Sequence, residues 1–196
     1  MAALIQNGRI IQDPPIVRVL FNDSRAAALW LLLRIWLGYQ WIEASLHKLS
    51  NPAWIQTGDA LKGFWTGAIQ IPAEGRPPIS FDWYRSFIQF LLDTQSYTWF
   101  AKLVAYGELL VGIALILGAF TGIAAFFGAL MNWNFMMAGS ASSNPLLLII
   151  AIGIVMAWKI AGYIGLDYFL LPGVGTPWGR KTRERSTASV PQTKNI

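Results

Sequence analysis

The chain has 196 residues, 55% of them hydrophobic and only 13% charged, with a net charge of +5. A water-soluble domain carries about 25% charged residues, so this composition excludes an ordinary soluble globule and calls for a solvent other than water. There is no cysteine and a single histidine, His47, which excludes disulfides, thiolate metal sites, thiol redox chemistry and a bis-histidine haem held within the chain.

Taken in order, residues 1–22 read as a polar arm that Pro14–Pro15 should keep extended. The arm lacks the compact apolar run and cleavage site of a secretory signal, so the first membrane helix is expected to direct insertion and to stay. Asp23 or Ser24 can cap that helix. It runs over Ala26–Leu49, is apolar in its first two thirds, carries Arg34, Glu43, His47 and Lys48, and is closed by Asn51–Pro52. The segment Ser50–Thr98 holds the turn formers Pro72, Gly75, Pro77 and Pro78. Within it, Pro52–Ile69 and Asp82–Asp93 read as short aromatic-rich helices suited to the headgroup layer, either as a lid over a ligand or as plain cover.

Three windows, Trp99–Phe120, Gly122–Gly139 and Asn144–Tyr163, meet the requirement of about 20 largely apolar residues for a spanning helix. The connection at Gly118–Thr121 is so short that the helices on either side must be antiparallel neighbours. Small residues at Gly112, Gly118, Gly122, Ala125, Gly128 and Ala129 suit close helix packing in a membrane.

The basic residues divide by side. Arg9, Arg18 and Arg25 precede the first helix, and Arg180, Lys181, Arg183, Arg185 and Lys194 follow the last. The long loop sets Lys62, Arg76 and Arg85 against Asp59, Glu74, Asp82 and Asp93. The positive-inside rule then makes both termini cytoplasmic and the loop external, which requires an even number of spans. The expected fold is an all-α membrane protein, a four-transmembrane-helix bundle with a long outer loop containing short interfacial helices. Its parts are a cytoplasmic arm (1–22), a membrane domain (23–171, outer loop about 50–98) and a basic cytoplasmic tail (172–196). The expected location is the cell membrane, multi-pass, with the bilayer as partner. Membrane topology alone explains the basic tail, so no nucleic-acid partner is expected.

Ionisable groups inside a membrane are costly and tend to be paired or functional. At 1.5 Å per residue, Arg34 comes out roughly 12 Å deep from Ala26, Glu108 about 15 Å from Gly118 and Asn132 about 16 Å. This level predicts an Arg34–Glu108 pair completed by Asn132, serving either as a polar site for a ligand or proton or as a lock between helices. Nearer the outer face, Glu43 and His47 share one helix stripe, and Lys102 enters at a similar level and could meet Glu43. Arg34, Gly38, Trp41, Ser45 and Lys48 form another stripe, about opposite. The Glu43–His47 pair could take up protons or simply end the helix in water. Glu108 and Arg34 are thus the catalytic candidates, and Asn132, Trp41, Glu43, His47 and Lys48 the ligand-binding ones. No metal or haem ligand set is present.

These helices resemble the DoxX/DoxD-like membrane proteins. The first reads Arg34-x3-Gly38-x2-Trp41-x3-Ser45-x2-Lys48-Leu49 followed by Pro52 and Trp54. The second reads Glu108-Leu109-x2-Gly112-x2-Leu115-x2-Gly118-x2-Thr121, and the third carries Met131, Asn132 and Asn134. Ser45 stands where the family often has Gly, and Gly122 where it often has a basic residue. The resemblance implies a four-helix bundle and, through the branch that supplies the membrane subunit of thiosulfate:quinone oxidoreductase, electron delivery to a quinone substrate alongside other subunits. The competing expectation is a non-catalytic accessory subunit of a larger respiratory or photosynthetic complex.

Overall fold

The computed structural model describes residues 13–175, all of whose regular structure is helical. The arm is not extended where it is described: α1 (Pro15–Asn22) is a helix with Pro15 in its first turn. Proline is favoured at that position because the amide it lacks would have no partner there anyway. Trp30 ties α1 down, its Nε1 donating to the Leu20 carbonyl at 2.7 Å. Asp23 accepts from the Arg25 backbone N–H at 2.9 Å and opens a single 3-10 turn that leads into α2 (Ala27–Leu49).

Beyond α2, the helix expected over Pro52–Ile69 is split into α3 (Pro52–Ile55) and α4 (Asp59–Ala68), and α5 (Asp82–Asp93) follows. These pieces pack on the start of the next long helix and the end of the one after it, in a second core around Leu61, Trp65, Ile79, Tyr84, Ile88, Ala101 and Ala138. The chain then forms α6 (Tyr97–Leu117), α7 (Thr121–Met137), α8 (Asn144–Met156), α9 (Trp158–Ala161) and α10 (Asp167–Gly173). The last apolar window is therefore two helices, parted at Ala157.

The long helices pack in a circuit, α2 on α6, α6 on α7, α7 on α8 and α8 on α2. Their shared core includes Trp30, Leu37, Trp41, Val111, Leu115, Ala125, Ala151 and Ile154. The α2–α6 contact is close because Gly38 and Gly112 face each other. A Cβ on Gly38 would stand 2.9 Å from the Gly112 carbonyl oxygen, and one on Gly112 2.8 Å from that of Gly38.

Among the described residues, α6 is the one helix both long and apolar enough to cross a membrane, with 21 residues and a mean hydropathy of 2.0. At 1.5 Å per residue it reaches about 31 Å, the thickness of a bilayer's hydrocarbon layer. The other long helices fall short for separate reasons: α2 carries charges along its length, α7 has 17 residues and α8 has 13.

Candidate functional site

Lys48, near the C-terminal end of α2, meets Glu108, in the middle of α6. Its Nζ donates to both carboxylate oxygens, at 2.9 and 2.7 Å. Glu108 is fully buried, and the Lys48 side chain keeps only 17% of its exposure. Two aromatic faces flank the ammonium, Trp54 at 5.3 Å and Phe135 at 5.8 Å, adding cation–π attraction to the ion pair. One turn below, Ser45 donates to the Ala105 carbonyl at 2.9 Å and fixes the α2–α6 register.

The pair lies in the wall of a cavity of about 420 Å3 between α2, α6, the end of α7 and the start of α8. Trp41, Glu43, His47, Lys48 and Glu108 all line it, together with Ser143 and Asn144 at the α8 N-terminus. The two stripes of α2 that sequence spacing separates thus open onto one cavity. Glu108 is its buried charge, Lys48 is half-buried, and Glu43 and His47 are exposed. Lys102 is also exposed, and among the described residues no ion pair joins it to Glu43.

The expected Arg34–Glu108 pair does not form. Arg34 is buried at the opposite end, donating from Nη1 to the Ala161 carbonyl at 3.3 Å and from Nη2 to that of Ile164 at 2.8 Å. Helix side chains lean toward their own N-terminus. In antiparallel α2 and α6 those termini lie at opposite ends, so Arg34 and Glu108 lean apart while Lys48 and Glu108 lean together. Backbone level adds to this. Gly38 sits against Gly112 and Ile116, so Arg34 is level with about residue 118, ten residues or about 15 Å from Glu108.

Asp167 completes the Arg34 end of the bundle. Its carboxylate accepts from the backbone N–H groups of Phe120 at 2.5 Å and Thr121 at 2.8 Å. It therefore caps α7 from 46 residues away in sequence and sets a negative charge against the positive end of that helix. The Asp167 backbone N–H in turn donates to the Gly118 carbonyl at 2.7 Å. Sequence reasoning missed this residue because it looks like an ordinary charged helix end. The run of Gly118, Gly162 and Gly165 was the available signal, since a Cβ at any of the three would collide with Arg34 or Asp167.

Asn132 is fully buried on α7, and neither of its amide atoms has a hydrogen-bond partner among the described residues. Met131 beside Gly107 and Val111 beside Gly128 fix the α6–α7 register, which puts Asn132 within a turn of Glu108 in level. It does not line the Lys48–Glu108 cavity. Trp41 turns its ring to the cavity, while its Nε1 lies buried toward Gly128 without a partner among the described residues. No three His, Asp or Glu side chains converge as a metal ion would require, again among the described residues.

No curated protein and no solved structure matches the chain. The family model for DoxX matches residues 29–140, more than half of the sequence, from the first turn of α2 to just past the end of α7, and this stretch holds both Lys48 and Glu108. The chain belongs to the DoxX family of membrane proteins.

Proposed function

We propose that the chain is a multi-pass membrane subunit of a quinone-linked oxidoreductase, and that the Lys48–Glu108 pair holds the quinone head group. The observation that carries this reading is the pair itself: a half-buried ammonium and a buried carboxylate, doubly hydrogen-bonded, in the wall of a cavity with aromatic sides. A buried ion pair gives a fold little net stability against an apolar replacement. Its value is greater where a ligand needs both a donor and a proton carrier in a dry site.

The distribution of polarity supports α2, α6, α7 and α8 as four spans. Leu32 and Tyr39 on α2, Leu110 and Ile113 on α6, Phe126 and Phe127 on α7, and Ile149 and Ile152 on α8 are exposed. Arg34, Ser45, Glu108 and Asn132 are buried between the helices. An apolar exterior around a polar interior suits lipid and not water. With basic termini inside, the cavity opens near the outer face, and the aromatic faces of α4 and α5 lie along that surface.

Quinone reduction takes up two electrons and two protons. In this reading Lys48 hydrogen-bonds a ring carbonyl oxygen and delivers protons to the reduced quinone, and each proton lost from Lys48 is replaced, by way of the Glu108 carboxylate, from water entering the cavity. The electrons come from a donor oxidised in a partner subunit, a sulfur compound on the outer side in the thiosulfate version. The test is quinone reduction by the chain purified with its neighbours, wild type against Glu108→Gln. A fall in turnover of about a hundredfold is expected, the usual contribution of a positioned proton-transfer group. Unchanged turnover would remove Glu108 from the mechanism and favour an accessory role in which the pair only locks α2 to α6.

A further inference from the structure

A second cavity, of about 480 Å3, runs between α6 and α7 beneath α4 and α5. Its walls are almost wholly apolar. The two polar groups that reach it, the Tyr84 hydroxyl and the Asn134 side chain, are hydrogen-bonded to each other at 3.1 Å. Phe64 and Phe135 line both this groove and the Lys48–Glu108 cavity, so the two share a wall. At its other side the groove is bounded by Leu103, Leu110, Phe127 and Leu130, all exposed on the outer faces of α6 and α7. It therefore opens sideways, onto the surface read above as facing lipid.

We propose that this groove holds the isoprenoid tail of the quinone whose head group lies at Lys48–Glu108, the tail passing by Phe64 and Phe135 and leaving toward the bilayer between α6 and α7. The inference rests on the quinone reading of the head-group site. Three features favour a tail attached to that head over a separate lipid. The groove adjoins the head-group cavity, it contains no charged side chain to receive a second head group, and it has a lateral exit. A hydrocarbon chain gains little free energy on leaving lipid for an equally apolar groove, so selectivity must come from fit. Gly107 supplies that fit: a Cβ there would meet only Met131 Sδ, at 3.8 Å, which leaves room between α6 and α7 that a larger side chain would take. Gly107→Leu therefore adds a side chain to the groove lining whose Cβ meets no backbone, and it replaces a poor helix former with a good one.

The experiment labels the full chain in lipid nanodiscs with two photoreactive quinones, one carrying an azide on the ring and the other a diazirine at the end of a short isoprenoid tail. Adducts are mapped by mass spectrometry. The ring probe is expected on the head-group cavity, at Trp41, His47 or Trp54. The tail probe is expected on Leu103, Leu110, Phe127 or Met131, with competition by decylubiquinone and not by oleate. In Gly107→Leu the tail adducts should fall about tenfold while the ring adducts persist. Tail adducts spread over the outward faces of α2 and α8, or unchanged by Gly107→Leu, would overturn the tail inference and leave the head-group reading intact. Equal competition by oleate would make the groove a site for ordinary bilayer lipid and overturn the inference. Loss of ring adducts from the Lys48–Glu108 cavity would overturn both.

Discussion

Lys48 and Glu108 are bonded although their backbones stand at different levels. The Ser45–Ala105 contact sets Lys48 level with residue 102, six residues or about 9 Å from Glu108 along the helix axis. Both side chains span that interval by extending toward their own helix N-termini, which lie on opposite sides. The pair thus depends on the antiparallel register of α2 and α6, and the Gly38–Gly112 approach maintains that register.

Removing one partner should cost more than removing both. Lys48→Met leaves the Glu108 carboxylate buried without its cation, a loss of about 3–5 kcal/mol. The double change Lys48→Met with Glu108→Leu removes the stranded charge and should recover most of that stability. Thermal unfolding of the three proteins in one detergent measures the difference. A double variant less stable than Lys48→Met would mean that the pair stabilises the fold by itself.

The Arg34 end of the bundle should depend on Asp167 and on the absence of a side chain at residue 118. Asp167→Ala frees two backbone N–H groups at the start of α7 and should cost about 1–2 kcal/mol. Gly118→Ala should be worse. Its Cβ would stand 1.9 Å from Arg34 Nη1 at a backbone φ of +68°, so Arg34 must leave its two carbonyls. Gly67→Ala, where a Cβ meets nothing, is the control and should not destabilise the protein. Unfolding midpoints should fall in the order Gly67→Ala, Asp167→Ala, Gly118→Ala.

Tyr84 on α5 makes the outer helices sensitive to alkali. Burial pushes its phenol up to about 12, from the ordinary value near 10. The folded chain therefore keeps this proton where the unfolded chain has lost it. The stability it contributes is complete below about pH 10 and declines between pH 10 and 12. Tyr84→Phe gives up the hydrogen bond to Asn134, about 1 kcal/mol at neutral pH, and should flatten that part of the decline. Unfolding followed from pH 8 to 12 in both proteins checks the sign.

The absence of cysteine makes topology directly measurable. Glu74→Cys in the long loop should react with a membrane-impermeant maleimide on intact cells. Arg25→Cys, on an exposed side chain just before α2, should react only after permeabilisation. Labelling of both residues from one side would contradict the four-span reading.

Sequence reached the long helices through their apolar runs, and it reached α5 at both ends, Asp82 and Asp93. It missed α1 because Pro14–Pro15 was read as a block, when a proline in the first turn starts a helix. It missed the break at Ala157 because residues 145–158 form one apolar run with neither proline nor glycine at 154–161. At the site, Lys48, Trp41 and Glu108 stand out in the sequence as polar or aromatic residues in apolar helices. Their pairing does not, since counting depth from helix ends assumes level ends and ignores the lean of side chains. Asp167 is invisible to local pattern because it caps a helix distant in sequence. Residues 1–12 and 176–196, including most of the expected basic tail, lie outside the described residues.

Equilibrium binding of radiolabelled decylubiquinone to the chain in nanodiscs, wild type against Glu108→Gln and Glu43→Gln, bears on the central claim most directly. Saturable binding weakened about tenfold or more by Glu108→Gln, and changed little by the exposed Glu43→Gln, is the expected result. Saturable binding that Glu108→Gln leaves intact would contradict the assignment of the head-group site to Lys48 and Glu108.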